Sequence, residues 1–173
     1  TSPTPRHVVQ LCDLLNTAVN HVLNEPYASK KGLKATAGAG WYGHYVRLHG
    51  FGCQLSCNAP MWHRYGRSPL WLWVRSPQWE PSEATDRALA AHFGRDECVT
   101  VSDGWGAGGT WLAVRIPEGQ ESDAVVRDIA RQLAEVAEVL AQTAHEDAYE
   151  AMPDEGLPAA DDGQQFQLAA GEW

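Results

Sequence analysis

The stretch that decides the fold is G40-WYGHYVRLHGFGCQLSCNAPMWHRYGRSPLWLWVR-S76. It holds four of the chain's eight tryptophans, three of its five tyrosines and two of its four cysteines. Trp41 to His49 alternates: Tyr42, His44, Val46 and Leu48 fall on one side, Trp41, Gly43, Tyr45, Arg47 and His49 on the other. A period of two over that length predicts a strand. Gly50-Phe51-Gly52 reads as a hairpin connection, and Cys53 to Cys57 as the returning strand. Asn58 is placed to cap a short helix over Ala59 to Tyr65, with Pro60 in its first turn and Gly66 as its stop. Leu70 to Val74 is a third strand. Leu70, Leu72 and Val74 face one way, Trp71 and Trp73 the other.

Working outward, Arg6 to Asn24 reads as a helix. Val8, Leu11, Cys12, Leu15, Val19, Val22 and Leu23 recur at steps of three and four, and Pro26 stops it. Tyr27 to Gly40, with Lys30, Lys31 and Lys34 followed by Ala-Thr-Ala-Gly-Ala-Gly, reads as an exposed basic loop. Downstream, Ser82 opens a helix over Glu83 to Phe93 that Gly94 ends. Residues 97–116 read as a second hairpin around a glycine-rich loop. Ser122 opens a last helix running to about His145, with Val125, Ile129, Leu133, Val136 and Leu140 as its apolar line. The order is α-β-β-α-β-α-β-β-α. The expected class is α+β: a mainly antiparallel sheet of about five strands with flanking helices. No repeat at a fixed period is present.

The chain has 173 residues and a net charge of −9, which suits one domain over residues 1–145 with an acidic tail over 146–173. The tail carries eight acids and no lysine or arginine, a composition that predicts flexibility or ordering only by docking, with Phe166, Leu168 and Trp173 as anchors. The charge is uneven. Residues 1–75 hold eight Lys/Arg against two acids, and the remainder five against twenty. The overall acidity disfavours generic nucleic-acid binding, while the basic half leaves room for a local anion-binding face. No signal sequence and no apolar run of roughly 20 residues is present. We therefore expect a soluble cytoplasmic protein without membrane contact. The opening Thr1-Ser-Pro-Thr-Pro suggests a trimmed start or the end of a longer chain.

Catalytic signatures are sparse. Cys53-x3-Cys57 with His63 lacks the second ligand pair of a zinc site, so small thiols on a core face are the expected reading, with no metal or other cofactor. No G-x-x-x-x-G-K-[ST] loop and no G-x-S-x-G elbow occurs. Glu80, Glu83, Asp86 and Asp103 stand near Trp79 and Trp105, but no spacing selects a glycosidase pair. The one enzyme reading inside the chain is a thiol at Cys57. It would be activated by the adjacent helix N-terminus, with His44, His49 or His63 as base.

A binding reading has more residues behind it. Lys30, Lys31, Lys34, Arg47, Arg64 and Arg67 would neutralise phosphates, and Trp41, Tyr45 and Trp62 would stack on bases. Against it, four large exposed aromatics make a costly patch, so Trp41, Tyr45, Trp71 and Trp73 are expected to pack as a second core layer. An alternative is a protein-interaction domain that uses the helix 123–145 and the acidic tail.

Trp41-Tyr-Gly-His-Tyr-Val-Arg-Leu, followed by Met61-Trp-His-Arg-Tyr-Gly-Arg-Ser-Pro-Leu-Trp-Leu, resembles a module of bacterial PD-(D/E)XK nuclease-family proteins. There the module follows the nuclease domain. The resemblance covers residues 41–74. It implies an accessory domain of a restriction-like or phage-defence nuclease, with a nuclease domain or effector subunit as partner. The family's acids and lysine have no counterpart here: no Glu-x-Lys or Asp-x-Lys occurs, and all three lysines lie between residues 30 and 34. The resemblance therefore carries over no catalytic residue. The leading expectation is a non-catalytic recognition or assembly module, with nucleic acid as a further partner.

Overall fold

The structure, a computed structural model, describes residues 5–102 and 108–150. The chain divides into a unit of Thr1–Thr143 and a second of Ala144–Trp173. The expected acidic tail lies largely outside the described residues.

The elements are α1 (Pro5–Val22), β1 (Ala28–Ser29), β2 (Ala35–Gly38), β3 (Trp41–Leu48), β4 (Phe51–Asn58), α2 (Ala59–Tyr65), β5 (Leu70–Val74), α3 (Glu83–Phe93), β6 (Cys98–Val101), β7 (Gly109–Val114) and α4 (Ser122–Glu150). The class is α+β. The sheet has seven strands in the order β1-β3-β4-β5-β7-β6, with β2 also on β3, and every pairing is antiparallel.

The two strands beyond the expected five come from the segment 27–40, which reads as a loop. β1 pairs with Arg47 and Leu48, and β2 with Trp41 to His44. Neither strand shows hydrophobic alternation, because both lie on the outer side of β3. Backbone hydrogen bonding to a long edge strand forms them, with Ala28 the side chain that packs on the core. Gly38 fits because the Trp41 indole lies over it: a Cβ there would sit 2.3 Å from Trp41 Nε1.

The β3–β4 turn also differs from expectation. Leu48 pairs with Phe51, so the turn is His49-Gly50, both at positive φ (46° and 83°), and Phe51 is the first residue of β4. Positive φ at both positions marks the type I′ geometry whose twist matches a hairpin. Helix α1 ends at Val22 rather than Asn24, since Asn24 and Glu25 close tighter turns onto His21 and Val22 before Pro26.

Helices α1, α3 and α4 cover one face of the sheet. Val46, Leu55, Leu70, Leu72, Val74 and Leu112 meet Leu15, Val19 and Val22 of α1, Leu89 of α3, and Ile129, Leu133 and Leu140 of α4 in one buried cluster. Each such side chain contributes about 1.5–3 kcal/mol when fully buried.

The opposite face is buried as well. Trp71, Trp73, Trp111 and Ala113 form a second cluster, joined by Tyr45, Met61, Tyr65, Val99 and Val101. The Trp73 and Trp111 rings stack 5.6 Å apart, and the Arg75 guanidinium lies 4.9 Å over Trp73. The polar edges are satisfied: Trp71 Nε1 donates to the Ser68 carbonyl at 2.8 Å, and Trp73 Nε1 to that of Gly108 at 3.2 Å. Among the described residues, short helix α2 rather than a long one contributes to this layer, through Met61 and Tyr65. Trp71 and Trp73 are packing.

Candidate binding surface

The structure separates the residues expected to form one basic aromatic platform into four settings. In the first, Lys30 leaves the loop surface. Its Nζ lies 2.9 Å from His44 Nδ1, while His44 Nε2 lies 2.7 Å from Asn16 Oδ1. The pattern assigns the tautomer: an ammonium can only donate, so Nδ1 accepts and Nε2 carries the proton toward the amide oxygen. Burial, then the Lys30 charge, lowers the His44 pKa. The imidazole is therefore neutral near pH 7. Lys31 and Lys34 stay exposed.

In the second, Tyr45 and Arg47 are occupied with Trp79. The Trp79 ring stands edge-on to Tyr45 at 5.4 Å, and the Arg47 guanidinium lies 5.3 Å over it. Arg47 also donates to the carbonyls of Gly50 and Pro77, at 2.8 and 3.0 Å. A guanidinium held by two carbonyls and a ring fastens the 77–81 segment to the sheet. Trp79 holds φ +65° to reach this position. It lies on Gly52, where a Cβ would come within 2.6 Å of its ring.

The third setting brings Trp41 and Trp62 together. They line an apolar groove of about 550 Å³ between the N-terminal half of α1 and the β3–β4–α2 corner, with Val8, Leu11, Cys12 and Cys57. None of its lining residues is a carboxylate. The large apolar side chains exposed among the described residues are Val8 (47%), Val9 (60%) and Trp62 (40%); two of these three line the groove. Val8, placed in the core stripe by its spacing, is therefore a groove residue. Sequence reasoning missed the α1 wall. No local signal sets Val8 apart, because its spacing matches the core stripe that the rest of the helix buries.

The fourth setting holds Arg64 and Arg67. The Arg64 guanidinium lies 5.3 Å over the Tyr65 ring, and Arg67 is exposed at φ +67°. Arg67 lines a different cleft from Trp62.

Cys57 sits at the floor of the groove, with Sγ 3.8 Å from the Leu11 carbonyl. Burial first, then the neighbouring Cys12 thiol, pushes its pKa up to about 12. Burial pushes Cys53 to about 12 and Cys98 to about 11. A thiol so raised is protonated at neutral pH, the opposite of an activated nucleophile. His44, one of the bases considered for it, is held by Asn16 and Lys30. Cys53 and Leu55 point into the helix-covered core. Among the described residues, no group of three or more His, Cys, Asp or Glu is placed to hold a metal ion. No described helix is long and apolar enough to cross a membrane.

Comparison with family models, with curated proteins and with solved structures finds no match.

Proposed function

We propose that this chain is a non-catalytic recognition module that seats an apolar segment of a partner protein in the groove between α1 and α2. One observation carries the reading: Trp41, Trp62 and Val8, aromatic and aliphatic side chains from three elements, converge on an apolar groove without a carboxylate in its lining. Exposed apolar surface of this kind costs solubility unless a partner covers it. Helix-in-groove recognition uses such a surface, with apolar anchors at helical spacing entering it. A partner segment with acidic flanks suits the basic first half of the chain. The nucleic-acid alternative would draw on Lys30, Tyr45 and Arg47, each of which already makes internal contacts. It keeps Lys31, Lys34, Arg64 and Arg67, of which Arg67 lines a different cleft from Trp41 and Trp62. Attachment to a nuclease-type effector rests on the resemblance of residues 41–74 alone.

Selection of a phage-displayed peptide library on the purified protein tests the reading. The selected peptides are expected to be amphipathic and acidic-flanked. Val8→Asp and Trp62→Ala are expected to weaken the best of them at least about tenfold, with thermal midpoints close to that of the parent. Titration with single- and double-stranded oligonucleotides at two salt concentrations is the control. Tight, salt-dependent oligonucleotide binding with no selected peptide would favour the nucleic-acid reading instead.

A further inference from the structure

A second feature lies away from the groove, where β6 ends the sheet. Beside it is a cleft of about 620 Å³ lined by Arg67, Arg87 of α3 and Arg95 of the α3–β6 turn, with Tyr65, Val99 and Thr100. All three arginines are exposed, and among the described residues no hydrogen bond or ion pair engages any of their guanidinium groups. The cleft's two carboxylates, Glu83 and Asp86, keep their charge, and among the described residues neither pairs with these arginines. Asp86 accepts from Thr110 Oγ1 at 2.5 Å, and Glu83 stands in the first turn of α3, where the helix dipole favours it. Three arginines against two carboxylates leave the cleft a local surplus of one positive charge, on a molecule of net charge −9. Arg67 is close enough to oppose the rise of the Cys98 pKa on β6.

Among the described residues no strand pairs with the outer side of β6. Ala113 N–H donates to the Glu97 carbonyl, so Glu97 faces β7. Alternation along an antiparallel ladder then turns Val99 and Val101 toward β7, and Cys98 and Thr100 away from it. Cys98 N–H is taken by the Gly94 carbonyl at 3.1 Å. The N–H and C=O of Thr100, an exposed residue, point outward from the last strand of the sheet. Outward backbone groups on an edge strand template the addition of another strand unless they are blocked. Among the described residues no lysine or proline lies on β6, and the three arginines outnumber the two carboxylates of the adjoining cleft.

We propose that the β6 edge binds an extended acidic peptide segment of a partner protein. The segment adds as a strand through the Thr100 backbone, and its carboxylates pair with Arg67, Arg87 and Arg95. Backbone pairing supplies the docking, and the guanidinium forks select carboxylates. A nucleic-acid strand would use the arginines without needing the Thr100 amide, which separates the two chemistries.

The probe is a fluorescein-labelled octapeptide alternating glutamate and valine, read by anisotropy at low salt. Binding is expected, weakening as salt rises. The double variant Arg87→Glu/Arg95→Glu is expected to lose at least about tenfold in affinity. Thr100→Pro, which removes one outward N–H where an edge strand tolerates proline, is expected to lose a similar factor. Because Thr100→Pro can also weaken folding, amide exchange of the unmodified protein gives the same answer: the Thr100 N–H is expected to become protected when the octapeptide is added. Val8→Asp and Trp62→Ala are expected to leave this affinity unchanged, so the edge and the groove stand or fall separately. The proposal is overturned by any one of three results. The octapeptide fails to bind below about 1 mM; the Thr100 amide stays unprotected at saturation; or an oligothymidine of equal charge binds as tightly and displaces it.

Discussion

At Gly52 a single missing methyl group decides whether the 77–81 segment can lie on the sheet. A Cβ there would meet the Trp79 ring at 2.6 Å, and the ring is pinned from its other sides by Arg47 and Tyr45. Gly52→Ala is expected to cost about 1–3 kcal/mol, the usual range for overpacking. Urea unfolding of Gly52→Ala, Trp79→Ala and the double variant checks this; the two losses should fall short of adding, because removing the ring removes the clash. The buried thiols give a pH signature. Cys53 and Cys57 ionise near 9.0 when free but near 12 in the fold. The unfolded chain thus gives up these protons first. The stability they contribute is complete below pH 9 and drains as pH climbs to about 12. Cys57→Ala should flatten part of that alkaline fall in a series of unfolding midpoints against pH. At neutral pH, Cys57 of the native protein should resist iodoacetamide.

Among the elements, α2 is too short to be stable alone, at seven residues, and depends on its cap and on its packing. Asn58 Oδ1 accepts from Met61 N–H at 3.0 Å, and Met61 and Tyr65 then pack on the tryptophan cluster, Tyr65 against Trp71. Asn58→Ala is expected to cost about 1 kcal/mol, measurable by chemical denaturation. The same change should loosen Trp62 at the groove, so any ligand selected on the groove should lose affinity with it. This cap was legible in the sequence, because Asn58, Pro60 and Gly66 are positional signals with a local mechanism. So were β3, through its alternation, and β5, as a short apolar run between Pro69 and Pro77. β1 and β2 were not: of Ala-Ser and Ala-Thr-Ala-Gly only Ala28 packs on the core, and the tertiary position of β3 makes them strands. The hairpin turn was misplaced by one step because Gly52 looks like a turn glycine. Its absent side chain instead makes room for Trp79, a contact 27 residues away in sequence.

Over the whole described unit, the question left open by the alternating Trp71 and Trp73 resolves into packing, since both sheet faces are covered. That shifts the exposed apolar surface to α1 and α2. The expected basic aromatic platform was legible as composition and not as geometry. Strand periodicity correctly puts Tyr45 and Arg47 on one face, but nothing local to them reveals that Trp79 comes back to occupy both. The groove was hidden for the converse reason: its walls come from α1, β3 and α2, and no motif spans them. The most direct test of the recognition reading is the tryptophan indole N–H spectrum of the ¹⁵N-labelled protein during titration with a groove-selected peptide. The account predicts that the Trp41 and Trp62 signals shift, while those of Trp71, Trp73 and Trp111 stay in place. Movement of the Trp71, Trp73 and Trp111 signals with Trp41 and Trp62 still would contradict it.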